Sequence, residues 1–254
     1  MRSTYALINL SDLKKNYLNI RKRVNKNIMA VVKANAYGHS VGESVNALLS
    51  LGQNKPEYFA VAFSDEGIEL RKHNVKQPIL VFEPFNKSEA ANLIKYNLIG
   101  TVFTEKHLHI LLNVRRELSS NNKIKIHVKV DTGMNRFGIR FDKAFDFIKK
   151  LSLNKNFVID GVYTHFATSD KRNKDFAEIQ LHRFNDLISK LKKNGVNYGL
   201  AHAANSGAIL DMPDSYFDMV RPGILLYGYY PSLETSESIN IKPVMSLFSK
   251  VASV

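Results

Sequence analysis

Short apolar runs alternate with amphipathic stretches along almost the whole chain. Residues 29–33, 58–63, 79–82, 99–103, 124–130, 158–163, 198–201 and 217–227 are apolar runs that each predict a strand. Between them, apolar positions recur at helical spacing. Ser11-Asp12-Leu13 reads as an N-cap signal, and Leu13, Tyr17, Leu18 and Ile20 carry a first helix onward. Similar patterns predict helices over 65–73, 86–96 and 175–193. Strands alternating with helices predict an α/β fold with a parallel sheet, and this number of repeats favours a closed (β/α)8 TIM-type barrel, spanning residues 11–230, over an open doubly wound sheet. Residues 4–10 and 244–254 each read as one more strand outside that repeat, the second interrupted by Ser246 and Ser249.

Composition narrows the function. A chain of 254 residues can bury a substantial core, and the absence of cysteine excludes disulfides and thiolate metal sites, so no metal is expected. The first ten residues lack the pattern of a signal peptide, and no run approaches the eighteen or so apolar residues of a membrane span. A soluble, cytoplasmic protein is expected, with no membrane partner. The formal charge of +13 suggests a polyanion at first sight, but its lysines and arginines are scattered, as in Arg21-Lys22-Arg23, Arg71-Lys72 and Lys192-Lys193, without aromatic interleaving. No nucleic-acid partner is expected.

The polar residues at strand ends carry the chemistry. Residues 28–32 are continuously apolar, Lys33 ends the run, and Asn35-Ala36-Tyr37-Gly38 breaks it. An ammonium there is partly desolvated, which lowers its pKa and raises the share of neutral amine able to attack an aldehyde; the alternative is a lysine that caps the sheet and points into water. Arg136, His165, Ser206 and Arg221 also fall at or just beyond the ends of candidate strands, where barrel active sites gather. His202-Ala203-Ala204-Asn205-Ser206-Gly207 offers a hydroxyl and turn amides to an oxyanion, although Asn205 and Ser206 could equally cap a helix that begins near Gly207. In Lys129-Val130-Asp131-Thr132-Gly133-Met134-Asn135-Arg136 a strand runs into a loop whose arginine fork suits a carboxylate.

The run Lys33-Ala34-Asn35-Ala36-Tyr37-Gly38-His39 closely resembles the pyridoxal-phosphate signature of alanine racemases, and runs similar to that family recur in order at 131–139, 164–170, 202–208 and 220–228. The resemblance implies that Lys33 holds pyridoxal 5'-phosphate as an internal aldimine and is the direct base at Cα. It further implies that Tyr37, Asn205, Ser206 and the backbone of Gly223 and Ile224 bind the cofactor, chiefly its phosphate, and that Arg221 faces the pyridine nitrogen. Guanidinium donates there without surrendering its proton, so the ring is a weaker electron sink and a carbanion is reprotonated before side reactions, which suits racemisation. Arg136 is implied to bind the substrate carboxylate. Lys129 supports it, in some members as a carbamate, and His165 and His202 belong to a tuning network. Asn135 stands where many racemases have glycine, and Phe137 where many have leucine.

In that family a tyrosine from the C-terminal domain of the partner subunit serves the opposite face of Cα, and its counterpart is expected beyond Val254. The resemblance therefore implies the barrel domain of an alanine racemase that interconverts L- and D-alanine for peptidoglycan. Residues 1–10 and 240–254 are then orphaned strands of a truncated C-terminal β domain, and the family's head-to-tail homodimer is expected to be weakened. Racemases of serine or other amino acids share this chemistry. Single-domain pyridoxal-phosphate carriers are a rival reading, but they do not usually carry both the Lys-Ala-Asn-Ala-Tyr-Gly-His run and the Asp-Thr-Gly-Met-x-Arg loop.

Overall fold

The apolar runs form strands buried on both faces. A computed structural model describes residues 4–251, in which β1 (Tyr5–Ile8) leads into α1 (Leu10–Val24), β2 (Asn27–Val31), the short turn α2 (Lys33–Tyr37) and α3 (Val41–Leu49). Strand and helix then repeat as β3 (Tyr58–Val61) with α4 (Ser64–Lys72), β4 (Ile79–Val81) with α5 (Lys87–Lys95), and β5 (Ile99–Val102) with α6 (Glu105–Glu117). Next come β6 (Ile124–Asp131), the two-residue β7 (Ile139–Arg140) and α7 (Phe141–Ser152), then β8 (Phe157–Tyr163) and α8 (Asp175–Lys193). β9 (Leu200–His202), α9 (Ser206–Asp211), β10 (Met219–Val220) and β11 (Met245–Phe248) complete the order.

Eight parallel strands run in the order β10-β2-β3-β4-β5-β6-β8-β9, with β7 pairing on β6 outside this path. The seam between β9 and β10 is bridged by the Asp218 N–H to the Ala201 carbonyl at 3.0 Å and the Arg221 N–H to the Ala204 carbonyl at 2.9 Å. The predicted (β/α)8 barrel is therefore present. Alternation along each strand divides its residues between two layers. Met29, Ala60, Leu80, Ile99 and Met219 pack inside the barrel, while Ile28, Ala30, Phe59, Val61, Ile79 and Val81 pack outward within the larger core. This double burial is why the strands read as continuous apolar runs.

Several boundaries differ from the sequence reading. The first helix is capped by Asn9, whose side chain accepts from the Ser11 and Asp12 amides at 3.1 and 3.2 Å, so Ser11 lies inside the first turn. The run 217–227 contributes only Met219–Val220 as strand. Pro222 has no N–H with which to continue the ladder; its carbonyl instead accepts from Val31 at 3.0 Å, and Ile224–Tyr227 coil into a 3-10 turn. The terminal strands β1 and β11 are not orphaned, because they pair antiparallel with each other from Tyr5↔Phe248 to Ile8↔Met245. Residues 1–3 and 252–254 of the expected terminal segments lie outside the described residues.

The segment leading to β11 is tied to the barrel. Buried Asn16 on α1 donates to the Leu226 and Lys242 carbonyls and accepts from the Lys242 amide at 2.9 Å. Gly228, at φ +87°, lets the chain pass directly over Lys242, since a Cβ there would sit 1.8 Å from the Lys242 carbonyl oxygen. Gly228→Ala should therefore cost at least about 3 kcal/mol, from left-handed backbone strain plus forced separation of the two segments. A fall in urea midpoint with unchanged slope would register that loss.

Candidate active site

The C-terminal ends of the strands surround a cavity of ≈ 420 Å³. Lys33 enters it from α2, a single turn of unusual hand. Ala34, Asn35 and Ala36 have φ/ψ near +53°/+50°, and Tyr37 has φ +54°, so four successive non-glycine residues lie in the left-handed region. Each costs about 1–2 kcal/mol relative to a right-handed turn, less for asparagine. Local bonds hold the turn: the Gly38 amide bonds to the Ala34 and Asn35 carbonyls at 3.0 and 3.1 Å, and Asn35 Oδ1 accepts from the Val41 amide at 2.8 Å. His39 Nδ1 lies 3.0 Å from the Ala36 and Tyr37 carbonyls, which only accept, so the imidazole proton sits on that nitrogen.

Tyr37 packs against Tyr227, and Tyr227 stacks on His39. Burial pushes the Tyr37 hydroxyl up to about 12, keeping it a protonated donor near neutral pH. Gly223 is required beside it, because a Cβ at that position would stand 2.6 Å from the hydroxyl. Ser206 Oγ accepts from the Gly223 amide at 3.0 Å and the Leu225 amide at 3.4 Å, which leaves its own proton free to donate. The Gly223 amide is thus spent on Ser206 rather than turned to the cavity. Asn205 caps α9, accepting from the Ala208 amide and the Ser169 hydroxyl. Its oxygen is a structural acceptor, as one of the two sequence readings expected.

Arg221, 3% exposed, projects from the end of β10. Its guanidinium donates to the Thr164 and Ala203 carbonyls at 2.8 and 2.9 Å and to His202 Nδ1 at 2.9 Å, with His165 Nδ1 at 3.4 Å. Because arginine only donates, His202 must carry its proton on Nε2, which faces His127 Nδ1 at 3.0 Å. His127 then donates from Nε2 to Asp160 Oδ2 at 3.3 Å, and the Tyr58 hydroxyl donates to the same oxygen at 2.9 Å. One line of donors therefore runs from Arg221 to a carboxylate. Burial, then the charge of Arg221, holds His165 and His202 well below the usual histidine range, so both are neutral at pH 7. Burial raises the Asp160 carboxyl, but the bonds from His127 and Tyr58 more than reverse that and keep it ionised. Burial pushes Arg221 down to about 10, so it remains charged at neutral pH.

Lys129 lies 2% exposed on the inner face of β6, with its amine 5.0 Å from the Phe137 ring centre and 5.4 Å from that of Tyr163. Burial, and then Arg221 and Arg136, push it down to about 7. Arg136 lines the cavity mouth, exposed, its guanidinium over Phe137. Among the described residues it has no ion pair. Asn135 has φ +58°, a conformation asparagine tolerates, so the loop keeps a shape that suits glycine. The Asp131 carboxylate folds this loop by accepting from the Gly133 and Asn135 amides.

Lys33, Tyr37, Lys129, Arg136, His165, Asn205, Ser206, Arg221, Gly223 and Ile224 all line this one cavity, and His202 stands behind it on Arg221. The sequence reading missed His127, Asp160, Tyr58 and Tyr163, which stacks on His202 and shares a hydrogen bond with Thr101 at 3.0 Å. His127 had a signal: it precedes Lys129 by two residues and so shares its strand face. Glu83, another lining residue, had none.

A parallel barrel whose strand ends gather a lysine, a tyrosine, a serine and two arginines presents a basic, amine-bearing cavity. The sequence profile of "Alanine racemase, N-terminal domain" matches residues 8–231, and the chain belongs to that family. It is 38% identical over 257 residues to alanine racemase 2 of Caldanaerobacter subterraneus subsp. tengcongensis, covering all of this chain and 65% of that protein. It is 39% identical over 259 residues to the alanine racemase of Treponema denticola, covering all of this chain and 67% of that one. The solved alanine racemase of Clostridium difficile 630 in complex with cycloserine superimposes with a TM-score of 0.91 at 33% identity, over 97% of this chain and 68% of that one. The chain thus spans about two thirds of the length of these relatives. Among the described residues no helix is long and apolar enough to cross a membrane.

The state of Lys129 has a thermodynamic signature. Between pH 7 and the ordinary lysine value of 10.5 the unfolded chain binds a proton that the folded chain has released, so stability rises with pH there; below pH 7 both states hold it and the full cost of the buried charge is present. Lys129→Met should therefore be more stable than the parent at pH 6. Its advantage should shrink as pH rises from 7 to 9.5, by up to about 1.4 kcal/mol per pH unit. Urea midpoints of both proteins at pH 6, 8 and 9.5 test this.

Proposed function

We propose that this chain binds pyridoxal 5'-phosphate at Lys33 and provides the Lys33 face of an alanine racemase site, in a protein that interconverts L- and D-alanine and supplies D-alanine for peptidoglycan. In this reading residues 11–230 are the cofactor-binding barrel, and residues 1–10 and 240–254 belong to a C-terminal β domain. The observation that carries it is the convergence of Lys33, Ser206 and Arg221 on one cavity, whose ≈ 420 Å³ falls within the range of about 300–1,000 Å³ of small-molecule sites.

The residues present fit the cofactor. The Ser206 proton is unspent, the Tyr37 hydroxyl is held protonated, and both sit beside Gly223, where a side chain would fill the space. Ile224 opens the 3-10 turn, so its amide has no partner within the turn and is assigned, with these two hydroxyls, to the phosphate. Gly223 is assigned the close approach rather than an amide donor, and Asn205 acts by holding the turn before Ser206. Bound here, pyridoxal phosphate supplies an aldehyde for an amine and an electron-withdrawing ring that acidifies the Cα proton of an amino acid.

Every other role belongs to the chain. The Lys33 amine removes or returns the proton on one face of Cα. Arg136, which has no ion pair among the described residues, binds the substrate carboxylate, and Lys129 supports it from the strand that leads into its loop. Arg221 has three of its five N–H groups committed to His202, Thr164 and Ala203, leaving donors for the pyridine nitrogen. Since His202 and His165 are neutral, no proton can pass readily to that nitrogen, which keeps the ring a moderate electron sink.

Pyridoxal phosphate added to the purified chain should produce a visible absorbance band, and borohydride should fix it on Lys33, as read by peptide mapping. Lys33→Ala should lose the band. Ser206→Ala, which removes the free donor, should weaken binding about tenfold. Exchange of the alanine Cα proton in deuterated water then reports one-face chemistry. A folded wild-type chain that takes no label on Lys33 would overturn the assignment.

A further inference from the structure

The geometry points to Glu66 as a positioning residue for Lys33, a carboxylate that fixes the left-handed turn α2 to the neighbouring barrel loop. This rests on the assignment of Lys33 made above. The amide of Ala34, the first left-handed residue and the other half of the Lys33 peptide bond, donates to Glu66 Oε1 at 2.5 Å. Glu66 Oε2 accepts from the Ala62 and Phe63 amides at 2.7 and 3.1 Å. One side chain thus takes three backbone N–H groups from the loops that follow β2 and β3.

The two oxygens have separate tasks. Oε2 accepts from the amide of Phe63, the N-cap residue of α4, which is the glutamate half of a capping box and a role internal to its own helix. Oε1 reaches across to a different barrel loop. An opening amide of a helical turn has no partner within the turn, and here a charged acceptor fills that place. The far end of the turn is held separately by His39 and Gly38. Lys33 precedes four left-handed residues, so the plane of the Lys33–Ala34 peptide sets the direction in which its side chain leaves the strand. Glu66 fixes that plane.

The rival reading is that Glu66 only caps α4. A control is built into the fold: Glu89 holds the same third position in α5 and likewise accepts from the amide of its N-cap residue, Asn86, at 2.8 Å. Glu66→Gln, Glu66→Asp and Glu89→Gln are compared by hydrogen exchange at Ala34 and by the rate at which pyridoxal phosphate and borohydride label Lys33. Both Glu66 variants should speed exchange at Ala34 and slow Lys33 labelling, each about tenfold, the loss expected for one charge-assisted hydrogen bond. Glu89→Gln should change neither by more than about twofold. Equal behaviour of the Glu66 and Glu89 variants, or Glu66 variants that match the parent in both readouts, would overturn the proposal. Should the parent take no label on Lys33, the assignment of Lys33 fails, and exchange at Ala34 alone decides whether Glu66 holds the turn.

Discussion

A guanidinium buried at the centre of the barrel sets the terms for everything around it. An isolated charge in such a place would cost several kcal/mol, so Arg221 must be surrounded by acceptors. Two backbone carbonyls and His202 meet that need directly. The compensating carboxylate, Asp160, lies two imidazoles away, and the fixed direction of donors through His202 and His127 lets its charge act on Arg221 without contact. A carboxylate touching Arg221 would compete for the N–H groups that a ligand needs. Distance keeps the arginine stable and still able to donate.

The same charge shapes its neighbours. Lys33, Lys129, Arg136 and Arg221 line one cavity against two carboxylates, Glu83 and Asp170. Burial first, and then repulsion from Arg221, pushes Lys129 toward its neutral form and keeps the histidines neutral, so the site lowers its own charge where it is driest. Arg136 stands at the wet mouth, exposed and over the Phe137 ring. The result is a field favourable to a phosphate and a carboxylate, built from a few placed groups; the overall excess of positive charge contributes little, being spread over solvated helices.

Much of this was legible in the chain because double burial makes parallel strands continuous apolar runs, and because strand-end polar residues such as Lys33, His165 and Arg221 stand out against them. Asp160 was hidden for a physical reason. Pairing of β6 with β8 steps from Ile126↔Ile159 to His127↔Gly161, leaving Asp160 as an extra, bulged residue, and a bulge breaks the alternation by which facing is read. Tyr58 reads as one more apolar strand residue, since nothing local shows that its hydroxyl meets a residue 102 positions away. β10 reads longer in the sequence than it is, because the residues after Pro222 are as apolar as a strand, yet they coil against α1. Nor could composition show that the Gly223 amide is used by Ser206, which depends on how two distant turns meet.

The hand of α2 follows from the residues that form it. Four left-handed residues would together cost about 4–8 kcal/mol, a large part of the 5–15 kcal/mol that stabilises a typical domain. The run Ala34-Asn35-Ala36 uses the smallest chiral side chain and the type most at ease with positive φ, which brings the strain to its lower limit short of glycine. Glycine there would remove the strain, but it would also free the turn to sample many shapes before folding. Alanine and asparagine therefore retain a turn that is uncomfortable but defined, and the barrel supplies the holds at both ends. Tyr37 is the exception, a bulky residue at φ +54°, and its ring rests on Tyr227, whose own hydroxyl is bonded to the Val31 carbonyl of β2. The strained turn is thus braced at its Tyr37 end against the strand from which Lys33 emerges, which ties the Tyr37 hydroxyl to the same strand that carries the amine.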